Sequence, residues 1–159
     1  MKRILFVCLG NICRSPAAEG IMKRLVSQRG RDGEFYIDSA GMGSWHVGQL
    51  PDRRMREHGQ RHGYDFNHRA RQFSVVDFAR FDVIIAMDSG NERSLLGLAQ
   101  TADDRRKIVP MGDYLRRHPG QHTIPDPYYG DGRDFEYVIE LLEDACEGLL
   151  QRLTETGNS

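Results

Sequence analysis

The sequence is short of lysine, of cysteine and of long apolar runs, and each shortage closes off a class of function. Its 159 residues hold 3 Lys against 19 Arg, with a net charge of −1. No global basic field is present to draw the chain to nucleic acid or to an acidic membrane. Guanidinium forks bind carboxylates and phosphates bidentately, but an arginine bias alone locates no site. Three cysteines are an odd and small number, against a disulfide framework. No apolar stretch approaches the roughly 20 residues of a membrane-spanning helix. The run Ile4 to Leu9, behind Met1-Lys2-Arg3, is too short for a secretory signal. A cytoplasmic location with reduced thiols is therefore expected, with no membrane and no nucleic acid as partner. There is no internal repeat, and neither a Walker nor a dinucleotide fingerprint follows the first apolar run. The length fits one domain over residues 1–159, its last few residues expected as a disordered tail.

What is present alternates strand and helix. Ile4-Leu5-Phe6-Val7 is a continuous apolar run, the pattern of a strand buried on both faces. Ser15-Pro16 can open a helix, serine as cap and proline at the first helical position, with Ala17, Ile21, Met22 and Leu25 as its apolar stripe. Strands are also expected at 35–40, 81–86 and 105–109, and helices at 51–63, 90–99 and 133–153. This is the pattern of a single three-layer α/β domain: a central, mostly four-stranded parallel sheet flanked by helices. Sites in such sheets lie at the carboxyl ends of the strands. Residues 8–15, 41–45 and 87–91 fall there. Pro119 to Gly132 carries three Pro and three Gly without periodicity, and so long a loop is often functional.

The stretch V-C-L-G-N-I-C-R-S-P (7–16) carries the chemistry. A metal pair is disfavoured: zinc cysteines are spaced more closely and need two further ligands. His58-x3-His62 shares a helix face but has no third ligand near it in sequence, and reads as a solvated face. A nucleophile is the sharper reading of Cys8, followed six places on by Arg14. Spacing alone is weak, since about one residue in eight is Arg. Cys146 and Arg152 repeat the spacing by chance inside a helix. Cys8 differs in context: it ends a strand, and Arg14 begins a helix. Gly10 and Asn11 tolerate positive φ, so the N–H groups of residues 9–14 (Leu9, Gly10, Asn11, Ile12, Cys13 and Arg14) can form an anion nest after the first strand. The helix N-terminus adds its dipole, and Arg14 can clamp two oxyanion oxygens. The same field favours a sulfur anion at Cys8.

The segment resembles the signature of the low-molecular-weight protein tyrosine phosphatases. The resemblance continues through Asp38-Ser39-Ala40-Gly41, Trp45-His46, His68-Arg69-Ala70-Arg71, Met87-Asp88 and Asp126-Pro127-Tyr128-Tyr129, nearly the whole chain. It implies a metal-independent protein tyrosine phosphatase with no cofactor. Its substrates would be phosphotyrosine proteins and small aryl phosphates, with inorganic phosphate or a similar oxyanion as inhibitor and a monomer as the working form. Cys8 would attack phosphorus and form a phosphocysteine. Asp126 would protonate the leaving phenolate and then act as base for water. Read by itself, Asp126 between Pro125 and Pro127 is an ordinary Asp-Pro turn.

Asn11, Ser39, His68 and Asp88 match a network that holds the loop; singly, the last three read equally well as turn or satisfied polar residues. Ser15 can bond the Cys8 sulfur, cap the helix, or both. Ile12, Trp45, Tyr128 and Tyr129 are candidate walls of a slot for a phenyl ring. Arginine phosphatases of this fold carry threonine at the position of Ile12, so isoleucine favours the phenyl ring. Cys13 can form a reversible disulfide with Cys8, which the resemblance implies would shield Cys8 from further oxidation, or be a small buried hydrophobe. A thiol-coupled arsenate reductase would need further cysteines after the third strand, and residues 82–105 have none. A phosphate-binding or redox module would not need Asp126.

Overall fold

A computed structural model describes residues 1–157. Four parallel strands form its centre in the order β2-β1-β3-β4: β1 (Lys2–Cys8), β2 (Phe35–Gly41), β3 (Val83–Ala86) and β4 (Ile108–Pro110). β1 runs beside β2 from Lys2↔Phe35 to Cys8↔Gly41, and beside β3 from Ile4↔Val83 to Val7↔Ala86. Alternation along β1 feeds two cores. Ile4 and Phe6 pack with α1 (Arg14–Gln28) and α6 (Gly132–Gly157) on one face. Leu5 and Val7 pack with Phe73, Phe78, Phe81 and Leu95 on the other. All four are fully buried, at about 1.5–3 kcal/mol each relative to exposure. A helix on one side only would have left half of them in water, so the unbroken apolar run dictates three layers.

The remaining helices are α2 (Arg53–Arg61), α3 (Asp77–Arg80), α4 (Ser89–Leu98) and α5 (Ala102–Lys107). The carboxylate of Asp52 caps α2 by accepting the Arg54 N–H at 2.8 Å, and Asp88 caps α4 through the Asn91 N–H at 2.8 Å. Because β2 lies on one side of β1 and β3 on the other, the chain reverses direction at β1. The crevice at the carboxyl ends of β1 and β3 is the place where such sheets bind ligands.

Three expectations need correction. Residues 105–107 are helical, not strand. Thr101 caps α5, acids fill its first turn and Arg105, Arg106 and Lys107 its last, a charge order that suits the helix dipole. Only Ile108–Pro110 pairs with β3. Ser15 is not a cap: α1 starts at Arg14 behind Cys13, without a side-chain cap. His58 is not on a solvated face. It is buried, and Glu136 of α6 accepts from His58 Nδ1 at 2.7 Å and from His62 Nε2 at 2.6 Å. The expected disordered tail falls partly on helix, since α6 is described to Gly157, and otherwise lies outside the described residues.

Candidate active site

The loop between β1 and α1 is held by its carbonyls. Those of Cys8 and Leu9 accept from the N–H groups of Met42 (3.0 Å) and Gly43 (2.9 Å), and that of Ile12 from Asp52 (2.8 Å). A trans peptide sets its N–H opposite its C=O. Tying these carbonyls to the body of the protein therefore turns the following N–H groups away from it. Asn11 makes the bend at φ 58°, the sole non-glycine positive φ among the described residues. Space forces the tight fit as well: a Cβ at Gly41 would come within 3.0 Å of the Asn11 and Gly10 backbone.

Asn11 is fully buried, and its side chain is saturated. Nδ2 donates to Ser15 Oγ (2.8 Å) and Ser39 Oγ (3.1 Å). Oδ1 accepts from His68 Nε2 (3.0 Å) and the Arg71 N–H (3.0 Å). These bonds offset the strain of a left-handed residue. They also direct protons. Ser15 Oγ, having accepted from Asn11, has its own hydrogen to give, and Cys8 Sγ lies 3.0 Å away while the Ala40 carbonyl is at 3.5 Å. Ser39 passes its hydrogen to buried Glu19 (2.7 Å), which also receives Lys23 and faces His68 Nδ1 at 3.1 Å.

Arg14 is 2% exposed. Nη1 donates to Asp88 (2.7 Å) and to the Ile124 carbonyl (2.8 Å), while Nη2 lies 3.7 Å from Asp126 Oδ2. Burial works against its charge, but Cys8, the Asp88 hydrogen bond and Asp126 outweigh it and raise the guanidinium above its ordinary range. Burial likewise opposes ionisation of Asp88, and the bond from Arg14 with the α4 N–H groups overcomes it and lowers that carboxyl. Cys13 goes the other way. Burial first, then Asp52, Cys8 and Asp126, push its thiol far up, so it stays protonated.

These groups share a cleft of about 310 Å³. Cys8, Ile12, Cys13 and Arg14 form its buried floor; Trp45, His46, Tyr128 and Tyr129 stand around it with Asp126. Trp45 and Tyr129 are 68% and 94% exposed, so the walls are rim residues that a ligand would cover. The Trp45 ring lies over Gly43, where a Cβ would stand 1.9 Å from it. The Tyr128 and Tyr129 rings meet edge to face, centroids 4.9 Å apart. Asp126 Oδ1 accepts the Tyr128 N–H at 3.1 Å.

The residues given catalytic, phosphate-binding, loop-holding or wall roles from sequence gather at this cleft or in the network beneath it, while His58 and His62 meet Glu136 elsewhere. Glu19 is given no role by its spacing, and its one local signal is a carboxylate one turn after Ser15 among buried α1 residues. Arg71, to which no spacing gives a role, forks onto buried Asp77 and reaches Asp38. Glu19, Asp38 and His68 are the group among the described residues whose ligand atoms converge within 4.8 Å. Each already answers a protein partner: Lys23 and Ser39, Arg71, and Asn11 respectively. The three cysteines are free thiols.

Residues 3–159 match the family described as low molecular weight phosphotyrosine protein phosphatase. A Synechocystis sp. protein, provisionally named a low molecular weight protein-tyrosine-phosphatase, is 50% identical over 151 residues, 95% of this chain and 96% of that one. The human low molecular weight phosphotyrosine protein phosphatase is 40% identical over 152 residues, 95% of each chain. The crystal structure of a protein tyrosine phosphatase from Entamoeba histolytica with Hepes in its active site superposes with a TM-score of 0.95 at 42% identity, covering 99% of both chains.

Proposed function

The chain belongs to the low molecular weight phosphotyrosine protein phosphatases, a metal-independent hydrolase family, and from that premise we propose the roles of its residues. Cys8 attacks the phosphorus of a phosphotyrosyl group in line. The P–O bond to the tyrosyl oxygen breaks, and Asp126 gives that oxygen its proton. A phosphocysteine results. Water then attacks it, losing a proton to Asp126, and the sulfur leaves as a thiolate that Ser15 hydrogen-bonds. In both steps Arg14 and the loop N–H groups face the equatorial oxygens, where charge spreads in the transition state.

One observation carries the reading: the Cys8 sulfur, a pinned Arg14 and Asp126 open into the same cleft, with Arg14 Nη2 and Asp126 Oδ2 3.7 Å apart. Asn11, Ser39, His68 and Asp88 hold the loop and Arg14 in place. Ile12, Trp45, Tyr128 and Tyr129 flank the phenyl ring. An isoleucine floor favours a flat apolar ring over a guanidinium, so phosphotyrosine is the substrate rather than phosphoarginine. Inorganic phosphate is a competitive inhibitor. The working form is a monomer in the cytoplasm; no helix among the described residues is long and apolar enough to cross a membrane.

Cys13 is a resolving thiol. A peroxide oxidises Cys8 to a sulfenic acid with release of water; the protonated Cys13 thiol then attacks that sulfur, its proton leaving with the displaced hydroxide as a second water, and closes a disulfide, which a dithiol reduces. Peroxide-treated Cys13→Ser is expected to lose dithiol-recoverable activity.

The test is phosphate release, with chelator present, from phosphotyrosine, phosphoserine and phosphoarginine peptides. Release from phosphotyrosine alone, inhibited by inorganic phosphate, supports the reading. Preferential release from phosphoarginine would overturn the specificity, and no release from any would overturn the reading.

A further inference from the structure

Arg54 does not line the cleft, yet it joins the phosphate loop to the acid loop. Its Nε and Nη2 fork onto Asp52 at 3.1 and 3.0 Å. Asp52 is itself fixed twice: its carboxylate caps α2, and its N–H donates to the Ile12 carbonyl of the phosphate loop at 2.8 Å. From this anchored position Arg54 Nη2 donates across to the Tyr128 carbonyl at 3.0 Å. The guanidinium carbon also lies 4.6 Å from the Phe135 ring centroid, at the start of α6. A cation over an aromatic face adds attraction and limits sliding.

The contact matters because of what Tyr128 does. Its N–H is the donor that holds Asp126 Oδ1. That bond leaves Oδ2 as the oxygen 3.7 Å from Arg14, where a leaving group would need its proton. Pro125 and Pro127 restrict the backbone up to residue 127: each fixes its own φ, and Pro127 biases Asp126 toward extended conformations. Nothing in those two rings fixes residue 128. The turn closed by the Gly130 N–H to the Pro127 carbonyl (2.8 Å) shapes the segment but does not attach it to the body. Arg54 does.

We infer that Arg54 is a positioning residue for the general acid: by holding the Tyr128 carbonyl it limits the movement of residue 128 and of the N–H that orients Asp126, so that Asp126 presents Oδ2 to the leaving oxygen. The inference rests on the general-acid reading of Asp126. It gives Arg54 a signature that neither phosphate binding nor plain stability would produce. An acid matters in proportion to the basicity of the group it protonates, so a misplaced acid harms poor leaving groups and spares good ones.

The experiment measures kcat/KM, which reports steps up to leaving-group departure, for a series of aryl phosphates from phenyl to dinitrophenyl. Arg54→Ala and Arg54→Gln are compared with wild type and with Asp126→Ala, alongside melting temperature and inhibition by inorganic phosphate. Displacing an acid by about 1 Å costs on the order of 10²-fold. Both Arg54 variants are therefore expected to lose about 10- to 100-fold on phenyl phosphate and less than about 3-fold on the dinitrophenyl ester. Phosphate inhibition should hold within about 2-fold, since no guanidinium contact to the anion is removed. An equal loss across the series, no loss, or weakened phosphate inhibition would overturn the inference. If Asp126→Ala itself showed no leaving-group dependence, the fault would lie in the general-acid reading; a steep Asp126→Ala series beside flat Arg54 series would sink the Arg54 role alone.

Discussion

Cys8 Sγ and Ser15 Oγ lie 3.0 Å apart at the bottom of the cleft, and the serine already accepts from Asn11 Nδ2. The hydroxyl hydrogen is thereby directed at the sulfur. A hydrogen bond to a charged group is worth about 1.5–3 kcal/mol. It counts most when sulfur leaves as a thiolate, in the second step. Ser15→Ala is expected to lower kcat by about 10- to 100-fold. In stopped flow, a burst of aryl alcohol followed by slow turnover would locate the loss in phosphocysteine hydrolysis. Unchanged turnover would show that the sulfur does not need the bond.

Asp126 is expected to matter in both half-reactions. Asp126→Ala should reduce kcat/KM on phosphotyrosine peptide by about 10²–10⁴, the usual contribution of general acid catalysis. Phosphate inhibition should persist, because Arg14 and the loop remain. Near wild-type kcat/KM would point to another proton donor.

The left-handed conformation of Asn11 separates two contributions. Asn11→Gly keeps φ near 58° accessible but removes the bonds to Ser15, Ser39, His68 and Arg71. Asn11→Ala removes them and adds about 1–2 kcal/mol of left-handed strain. Inhibition by inorganic phosphate should weaken at least about 10-fold in the glycine variant and further in the alanine variant. Equal, wild-type inhibition constants in both would mean that the loop holds its shape without this side chain.

Far from the cleft, Asp144 of α6 accepts from the Arg116 and Arg117 N–H groups (3.1 and 2.9 Å) and from His118 Nδ1 (2.7 Å). Burial opposes its charge, but the His118 bond and the two N–H groups prevail and lower the carboxyl below its ordinary range. A folded value below the unfolded value of about 3.9 gives stability that is complete above that pH and lost as pH falls through the folded value. Asp144→Asn is therefore expected to cost about 2–4 kcal/mol at neutral pH. Thermal melts should show the gap to wild type narrowing below about pH 4. A gap independent of pH would assign the loss to packing instead.

Features encoded locally are legible in the amino-acid order alone. Ile4 to Val7 spells a strand buried on both faces, and Cys8 to Arg14 spells a tight loop from strand to helix with its bend at Asn11. Misreadings arise where local signals compete: Ile108 and Val109 suggest a longer strand, while the charge order of residues 102–107 makes a helix. Ser15-Pro16 looks like a helix start because cap chemistry is common, but the helix begins two residues earlier, at Arg14, and the serine turns to the sulfur. Other features are illegible because they depend on distant partners. Glu136 meets His58 across 78 residues of sequence, and Arg54 meets Tyr128 across 74. No spacing rule in a single sequence brings such pairs together.

The most direct test of the account is to find the phosphoryl group on Cys8. Wild type, Cys8→Ser and Asp126→Ala would be mixed with excess phosphotyrosine peptide, quenched within milliseconds and measured as intact protein by mass spectrometry. One phosphoryl group per chain is expected on Cys8 in wild type, longer-lived in Asp126→Ala because its base is gone, and none in Cys8→Ser, which should still bind inorganic phosphate. Phosphate release by Cys8→Ser at the wild-type rate, or wild-type turnover with no phosphorylated protein at any time, would contradict that expectation.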